Sequence, residues 1–515
     1  MNHQEQELLS LIQPFEATAG ENGALQDKAQ DLVSFVDAAL TSGDDGLIDK
    51  AVWHKYLDIT GRPAFLGSLG SAEARNRWAD QMFRIVESSQ YTLLTMFEQR
   101  VGEHPQRPLF REANDSPSLW TYEQVFSTIK KMAASFYSAV AEPRVLLYLD
   151  NSPEGACADL ACLTFGILDS PIDRHFDKDT IAFIIKKLGI NIVVTDTETR
   201  LHRLNEVEKL TGMPLKIFVT DPHNRSLRER DLFLGEACSR LSASEADEIL
   251  SKQSLRDLHK VSTVMFTSGS TGEPKGLAFT NYNLVTKRFA RAAALPDVGR
   301  DEVLFCYLPL FHTFGRFLEM MGMIFWRGTY VFAGNTSRET FLKRLSEVQP
   351  TGLIGIPLRW RQIQERCLEQ LDPAASPEVE QAVFRSVVGT QLRWGLSAAG
   401  FLPAKTFRFF HRNQVALGSG FGMTEATGGI TMTPPREYRD NSVGIPLPGM
   451  RTRMTGEGEL EIGGPYLARY LEQLEVEDPA NASFNARTED VWLKTGDLFK
   501  VDDHGHYQIV DRLKD

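Results

Sequence analysis

The amino-acid sequence predicts an α/β protein with two doubly wound αβα subdomains, a smaller β-rich subdomain after them and a helical extension before them. Three observations predict this fold. Apolar residues recur at three- and four-residue spacing over residues 28–40 and 76–89, which is typical of amphipathic helices. Apolar runs then alternate with helical segments over residues 91–220, and a second such series runs from 261 to about 430. Shorter runs between glycines follow residue 440.

The boundaries follow these changes of pattern. We expect a helical extension over 1–90, a first α/β subdomain over 91–260, a second over 261–435 and a β-rich subdomain over 436–511. In the first subdomain the pattern predicts strands at 145–149, 171–172, 191–195 and 216–220, and helices at 154–166, 179–188 and 203–210. Strand–helix–strand alternation favours a parallel sheet, because parallel neighbours need a crossover connection.

Composition narrows the classes of function. The 515 residues are 42% hydrophobic and 24% charged, which is ordinary for a globular protein. A net charge of -12 disfavours nucleic acid as a partner, because an acidic surface repels phosphate backbones. The five cysteines form no CxxC pair, so we expect buried thiols in a reducing compartment.

The N-terminus and the apolar segments indicate a cytoplasmic protein. The first residues, MNHQEQELLSL, lack the basic flank and apolar run of a signal peptide. The most apolar stretch, residues 320–326, is far shorter than the ~20 residues that span a bilayer. We therefore expect no membrane span.

The strongest local signal is residues 261–276, VSTVMFTSGSTGEPKG. A β-rich run leads into glycines, which let backbone N–H groups turn toward an anion, and into hydroxyls that add donors. The candidate phosphate-binding residues are Thr267, Ser268, Gly269, Ser270, Thr271, Gly272 and Lys275. The spacing differs from that of a Walker A loop. A Ser/Gly-rich surface turn is the alternative interpretation of so short a run.

The complete pattern TSGSTGxPKG resembles the signature loop of the adenylate-forming superfamily, which includes acyl-CoA synthetases, adenylation domains of peptide synthetases and luciferases. Further segments resemble that family in the same order, and the resemblance covers about residues 91–515. They are residues 145–173, 308–316 (LPLFHTFGR), 353–360 (LIGIPLRW), 392–406, 418–429 (GSGFGMTEATGG) and 492–515. The resemblance implies the large N-terminal domain of the adenylate-forming fold.

Residue roles follow from the resemblance, position by position. His312 would border the carboxylate and the nucleotide, although a lone histidine is often a structural residue. Ala398, Ala399 and Gly400 would contact the adenine, as would Gly420 and Phe421. Thr424 would bind the α-phosphate and Glu425 would hold Mg²⁺. The sequence departs from the family with Ala-Ala-Gly-Phe at 398–401 and with Phe421 where tyrosine is more usual.

The last matching segment, WLKTGDLFKVDDHGHYQIVDRLKD, supplies the ribose contacts and a hinge. Asp497 and Arg512 would reach the ribose hydroxyls, and Asp511 stands where glycine is commoner. Lys514 and Asp515 match the hinge, assigned to 512–515, about which a C-terminal lid rotates. The lid and its lysine would follow residue 515, so we expect this chain alone to bind ATP and acid but to adenylate poorly.

The resemblance implies ATP-dependent activation of a carboxylic acid to acyl-AMP, followed by transfer to coenzyme A or to the phosphopantetheine of a carrier protein. The apolar stretch 314–326, FGRFLEMMGMIFW, and its context resemble long-chain fatty acyl-CoA synthetases, which favours a fatty or hydrophobic acid. One alternative is the adenylation domain of a multidomain protein that loads a carrier or feeds a reductase. Another is a non-catalytic module that binds ATP or AMP.

Overall fold

The N-terminal extension is helical in the computed structural model, which describes residues 2–16, 25–114, 118–224, 227–253, 257–267, 273–434 and 436–513. Its helices are α1 His3–Ile12, α2 Gln26–Ser42, α3 Lys50–Thr60, α4 Pro63–Ser68, α5 Ala72–Ser88 and α6 Leu93–Glu103. The Ser71 side chain caps α5 by accepting from the backbone N–H of Ala74. Trp78, Met82 and Ile85 form its buried face, at the spacing that predicted the helix.

The strands that follow pair into three sheets within the described residues. They are β1 Pro108–Glu112, β2 Leu119–Thr121, β3 Arg144–Tyr148, β4 Leu168–Pro171, β5 Ile192–Thr195, β6 Lys216–Val219, β7 Leu232–Phe233, β8 Val261–Thr267, β9 Lys275–Thr280, β10 Val303–Cys306, β11 Thr329–Phe332, β12 Gly352–Gly355, β13 Trp394–Ser397, β14 Ala416–Met423, β15 Gly428–Met432, β16 Ile445–Pro446, β17 Arg451–Met454, β18 Glu459–Gly463, β19 Arg469–Tyr470, β20 Leu493–Val501 and β21 Tyr507–Arg512.

Helices connect and cover these strands. They are α7 Tyr122–Ala139, α8 Pro153–Thr164, α9 Lys178–Leu188, α10 Glu198–Thr211, α11 Leu234–Ser239, α12 Ala243–Ser251, α13 Asn281–Ala294, α14 Met321–Trp326, α15 Arg338–Val348, α16 Pro357–Leu368, α17 Pro377–Val388 and α18 Ala404–Arg412. A π-helix, Phe314–Met320, runs directly into α14. Among the described residues, none of the helices combines the length and apolarity needed to cross a membrane.

The sheet topology confirms the predicted fold class. One sheet has the order β19-β9-β8-β4-β3-β5-β6-β7, and a second has the order β16-β15-β14-β13-β12-β10-β11-β1-β2. Their central strands are parallel, and antiparallel pairs occur only toward the edges of the strands described. The third sheet, β17-β18-β20-β21, is antiparallel and forms the β-rich subdomain.

The strands divide between the two large sheets differently from the boundary expected at residue 260. Strands β8 and β9 belong to the first sheet, since Asp169 of β4 pairs with Thr263 of β8. Strands β1 and β2 belong to the second sheet, where Phe110 pairs with Tyr330 of β11. The apolar pattern identifies strands but carries no information about partners so distant in sequence.

The helical extension shares one core with the rest of the molecule. Helix α5 packs on α13, and the rings of Trp78 and Phe289 meet at 6.0 Å. Arg100 and Arg327 are buried and both form ion pairs with Asp58. Burial alone would raise the pKa of Asp58, but the two guanidinium groups hold it below its usual value. The extension is therefore an integral layer of the fold.

Candidate active site

The residues that the sequence analysis singled out converge on one edge of the second sheet. Strands β10, β12, β13 and β14 are parallel neighbours, so their carboxyl ends lie side by side. The loop after β10 carries His312, the turn after β13 carries Ala398–Gly400, and the end of β14 carries Phe421 and leads to Glu425. Ligands of open α/β sheets bind at this edge, so it is the expected place for a site.

Strands β8 and β9 bring the described ends of the predicted phosphate loop, Thr267 and Lys275, to the same region. Thr267 ends β8 and pairs with Lys275, which begins β9. Thr267 is half-buried, whereas the Lys275 side chain is exposed and can reach a ligand. The predicted residues Ser268, Gly269, Ser270, Thr271 and Gly272 lie outside the described residues, as do the predicted hinge residues Lys514 and Asp515.

Tyr470 joins strand β9 to Glu425. It lies on β19, which pairs with β9, and its ring centroid is 6.0 Å from Lys275 Nζ. Its hydroxyl donates a hydrogen bond to Glu425 Oε1 at 2.5 Å. Burial and the neighbouring carboxylate raise the pKa of Tyr470, so its hydroxyl stays protonated and continues to donate. The sequence analysis missed Tyr470, because only strand pairing brings it to the site.

The turn that carries Thr424 and Glu425 is held by hydrogen bonds from neighbouring segments. It is a short 3₁₀ helix, Thr424–Ala426, and the Glu425 carbonyl accepts from Ala468 N–H at 2.8 Å. Lys287 of α13 is fully buried and donates to the carbonyl oxygens of Ala426 and Gly429. These contacts hold the turn without using the Glu425 carboxylate or the Thr424 hydroxyl.

The other end of the site is formed by β14 and the β-rich subdomain. The ring of Phe421 is half-buried and meets that of Phe499 edge-on at 5.0 Å. Asp497 lies two residues before Phe499 and pairs with Arg512, with 3.9 Å between Arg512 Nε and Asp497 Oδ1. Burial raises the pKa of Asp497 and Arg512 lowers it. Arg512 is 82% exposed, so its guanidinium is open to a ligand.

The turn after β13 has the backbone that a flat ligand needs. Ala398 N–H donates to Gly355 O at 3.3 Å, which anchors the start of the turn. Ala399 adopts a φ of 62° and Gly400 a φ of 155°, both in the region that disfavours side chains. Both residues are exposed, and neither carries more than a methyl side chain. Gly420 is half-buried on the neighbouring strand.

His312 is the predicted site residue with the least direct link to the others. It is solvent-exposed on one side, and nearby protein atoms lower its pKa by desolvation. Its carbonyl accepts from Arg316 N–H at the start of the π-helix. Among the described residues, no hydrogen bond or ring contact joins His312 to Glu425 or Lys275. Its neighbour Thr313 does lie against Gly428, whose added Cβ would be 3.8 Å away.

A cavity of about 750 Å³ lies beside the starts of β13 and β14 in the second sheet. It is lined by Leu396, by Gly418, which lies two residues before Gly420 on β14, by Met432 of β15 and by Leu295, just after α13. Lys275, Phe421 and Glu425 do not line it. The sequence analysis did not predict it.

Several curated proteins similar to this chain are named long-chain-fatty-acid–CoA ligases. The chain is 25% identical over 442 residues to the long-chain-fatty-acid–CoA ligase ACSBG1 of Rattus norvegicus, covering 77% of this chain and 60% of that protein. It is 25% identical over 458 residues to the long-chain-fatty-acid–CoA ligase 1 of Homo sapiens, covering 78% and 64%. The chain thus spans about three-fifths of the length of the curated relatives it matches.

Solved structures share the fold at low sequence identity. The anthranilate CoA ligase AuaEII, in complex with anthranoyl-AMP, aligns with a TM-score of 0.67 at 16% identity, over 82% of this chain and 77% of that chain. The ATP-bound MatB of Rhodopseudomonas palustris aligns with a TM-score of 0.64 at 21% identity, over 81% and 78%. The family model described as AMP-binding enzyme matches residues 97–470, most of the chain. The chain belongs to the family of AMP-binding enzymes.

Proposed function

We propose that this protein activates a carboxylic acid with ATP, releasing pyrophosphate and forming acyl-AMP, and then transfers the acyl group to a thiol such as that of coenzyme A. The observation that carries the proposal is the arrangement of Lys275, Tyr470 and Glu425 at the carboxyl edge of the second sheet. It sets an exposed lysine and a hydrogen-bonded carboxylate on either side of one tyrosine. Phosphates and a cation that neutralises them fit between such groups.

The nucleotide would lie along this edge, with its adenine at one end and its phosphates at the other. The adenine would rest on the exposed backbone of Ala399 and Gly400 and against the ring of Phe421. The ribose hydroxyls would donate to Asp497, with Arg512 beside it. The phosphates would then reach Thr424, Lys275 and Thr267. This order follows the predicted roles of those residues.

The chemistry needs no nucleophile from the protein. An oxygen of the acid's carboxylate attacks the α-phosphorus of ATP, and the bond from that phosphorus to the bridging oxygen breaks as pyrophosphate leaves. Lys275 offsets the negative charge that develops, and Thr424 is placed to donate to the α-phosphate. Catalysis is then mainly positional and electrostatic. The acyl-AMP is next attacked by the acceptor thiol, which displaces AMP.

Glu425 suits a magnesium ion shared with the phosphates. Its Oε1 accepts from Tyr470, which orients the carboxylate, and within the described residues its Oε2 accepts no hydrogen bond. The same part of the chain has no group of three histidine, cysteine or acidic side chains that could cage a metal. Mg²⁺ commonly takes one or two carboxylates together with substrate phosphates, so the residues fit. When bound, the ion would neutralise phosphate charge.

The acid that fits best is a fatty or otherwise hydrophobic one. The cavity beside the starts of β13 and β14 has the volume of an ordinary small-molecule pocket and is partly apolar, with Leu396, Met432 and Leu295 in its walls. The names of the curated relatives favour the same class. A carrier-protein phosphopantetheine is the alternative acceptor, and we place the reaction in the cytoplasm.

The test is ATP–pyrophosphate exchange, measured across a panel of acids on the protein at its full natural length. We expect exchange that depends on one class of acid, and a loss of about a hundredfold in Lys275→Ala, because one cation at the developing charge is removed. Lys187→Ala, an exposed lysine on α9, is the control and should match the wild type. ATP binding without exchange on any acid would indicate the non-catalytic module instead.

A further inference from the structure

The helical extension contacts the segments behind the Glu425 turn through Phe83. This residue lies in the second half of α5 and is 3% exposed. Its ring meets the Tyr466 ring edge-on, with 6.3 Å between the centroids. It also lies against the backbone of Gly449, where an added Cβ would come within 2.4 Å of the Phe83 ring. Phe83 therefore packs against two segments of the β-rich subdomain at once.

Tyr466 joins the loop at Gly449 to the Glu425 turn. It is fully buried, and its hydroxyl donates to the carbonyl of Pro448 at 2.7 Å, in the loop that Phe83 covers. Its own carbonyl accepts from the Thr427 hydroxyl at 2.5 Å, two residues after Glu425. Burial raises the pKa of Tyr466, so its hydroxyl stays protonated and continues to donate. The position of the ring is thus fixed at both ends of the residue.

The face of the Tyr466 ring covers the ammonium group of Lys287. The Nζ atom lies 3.7 Å from the ring centre and donates to the carbonyl oxygens of Ala426 and Gly429. Burial, together with the nearby charges of Arg291 and Arg288, holds the pKa of Lys287 well below its usual value. An aromatic face stabilises a cation that is removed from water. The ring therefore helps to keep this lysine charged and donating.

We infer that the helical extension positions the carboxylate of Glu425, with Phe83 and Tyr466 as positioning residues that act through Lys287. The inference rests on the proposed function, because it takes this carboxylate as the group that binds Mg²⁺ together with ATP. Phe83 holds the Tyr466 ring over Lys287, and Lys287 holds the carbonyls that follow Glu425. Phe83 lies outside residues 97–470, which the family model matches, so the extension adds this support to the shared fold.

The alternative is that Phe83 only fills the core. A residue with that role alone would lower stability when truncated, but it would leave the binding properties of the folded protein unchanged. Positioning through Lys287 predicts a second effect, in which the folded variant binds ATP with Mg²⁺ more weakly. Nucleotide affinity therefore distinguishes the two roles. All variants below are made in the protein at its full natural length.

The first experiment separates the face of the Tyr466 ring from its hydroxyl. Tyr466→Phe keeps the face over Lys287 and loses the bond to Pro448, whereas Tyr466→Leu removes the face. We expect the Michaelis constant for ATP in pyrophosphate exchange to rise about tenfold in Tyr466→Leu, with a smaller change in kcat. In Tyr466→Phe it should stay within about twofold of the wild type. Equal rises in the two variants would overturn the role of the ring face.

The second experiment tests the extension itself. Phe83→Leu withdraws the ring from Tyr466, while Met82→Ala truncates the neighbouring buried residue of α5, whose sulfur contacts the Thr60 hydroxyl instead. Both variants should lose stability in urea. The Michaelis constant for ATP should rise about fivefold in Phe83→Leu and stay at the wild-type value in Met82→Ala. An unchanged constant in Phe83→Leu would overturn the inference, and so would an equal rise in Met82→Ala.

A binding readout separates this inference from the proposed function. Thermal stabilisation by ATP is measured with and without Mg²⁺, in the absence of any acid. The increase that Mg²⁺ adds should be present in the wild type and Met82→Ala and reduced in Phe83→Leu and Tyr466→Leu. That result supports the inference even if no acid gives exchange, an outcome that would count against the proposed function only. An equal increase in the wild type and Phe83→Leu would overturn the inference, as would no increase in the wild type. If Tyr466→Leu does not fold, Phe83→Leu decides alone.

Discussion

Two groups of buried arginine side chains in this protein differ in what surrounds them. Arg316, in the π-helix, is 0% exposed, and all three of its guanidinium nitrogens have partners. Nε and Nη2 donate to Asp159, Nη2 also donates to Asp169 at 2.8 Å, and Nη1 donates to Thr263 at 2.7 Å. Arg288 and Arg291 are as deeply buried but keep nitrogens that have no partner among the described residues. The charge of Arg316 is thus compensated within the described fold, whereas the charges of Arg288 and Arg291 are not.

The Arg316 network has a structural role. Asp159 lies on α8, Asp169 on β4 and Thr263 on β8, and β4 and β8 are neighbouring strands of the first sheet. Arg316 reaches them from the π-helix that follows β10 of the second subdomain. A π-helix inserts an extra residue into each turn, which re-aims side chains at such junctions. Arg316 thereby links the two subdomains directly behind the loop that carries His312.

Removing Arg316 should produce the largest effect. Arg316→Met leaves Asp159 and Asp169 buried without their cation, so we expect a loss of about 3–5 kcal/mol in the free energy of unfolding. Urea unfolding followed by circular dichroism measures it. Arg361→Met removes an exposed arginine and should change stability by less than about 0.5 kcal/mol. A loss of similar size in both variants would show that the network contributes nothing.

The same network should make stability depend on pH. Burial raises the pKa of Asp169 from 3.8 to about 7, with the neighbouring Asp159 adding to the rise and Arg316 opposing it. The folded protein therefore holds a proton that the unfolded chain has released, and this contribution is lost as pH rises from about 4 through 7. Wild type should lose stability over this range relative to Asp169→Asn, which cannot ionise. If the free energy of unfolding changed with pH equally in the two proteins, the raised pKa of Asp169 would be contradicted.

Lys287 tests the intermediate case, a buried cation whose partners are backbone carbonyls. Lys287→Met leaves the carbonyl oxygens of Ala426 and Gly429 without their donor, so we expect a loss of about 1–3 kcal/mol. Because these carbonyls flank the Glu425 turn, the Michaelis constant for ATP should rise as well. Thermal unfolding and exchange kinetics measure both effects, with Lys187→Met as the exposed control. Unchanged stability would mean that the turn is held by other contacts.

The smallest effect on stability is expected at the uncompensated pair. Arg288→Met removes a buried charge that has no carboxylate partner in the described part of the chain, so the protein should be unchanged within about 1 kcal/mol or become more stable. Urea unfolding compares it with Arg316→Met under the same conditions. A loss as large as that of Arg316→Met would mean that Arg288 has a structural partner, and the contrast between the two sites would fail.

The sequence predicted much of this architecture because its motifs fall at the ends of strands. Apolar runs located β3, β5 and β6, and helical periodicity located α5 and α9. The ordered motifs placed His312, Ala398, Phe421 and Glu425 at or after the ends of strands, and parallel strands bring such ends to one edge. The five cysteines are buried with free thiols, as expected from their spacing.

The parts that the sequence did not predict depend on pairings between distant segments. Tyr470 reaches Glu425 only through the pairing of β19 with β9. In the sequence, the arginines of α13 resemble the polar face of an amphipathic helix. Their burial follows only from the packing of α5 and β15 around that helix. Asn151 holds the loop before His312, because its side-chain amide donates to the Leu308 carbonyl and accepts from the Leu310 N–H. Residue type and spacing alone do not predict these contacts.

The most direct test of the account is to identify the product by mass spectrometry. The protein at its full natural length is mixed with ATP, Mg²⁺ and a fatty acid, and the nucleotide products are identified before any thiol is added. The account predicts pyrophosphate and the mixed anhydride of that acid with AMP. Formation of ADP, or recovery of unchanged ATP from a protein that binds it, would contradict the claim that this edge adenylates a carboxylic acid.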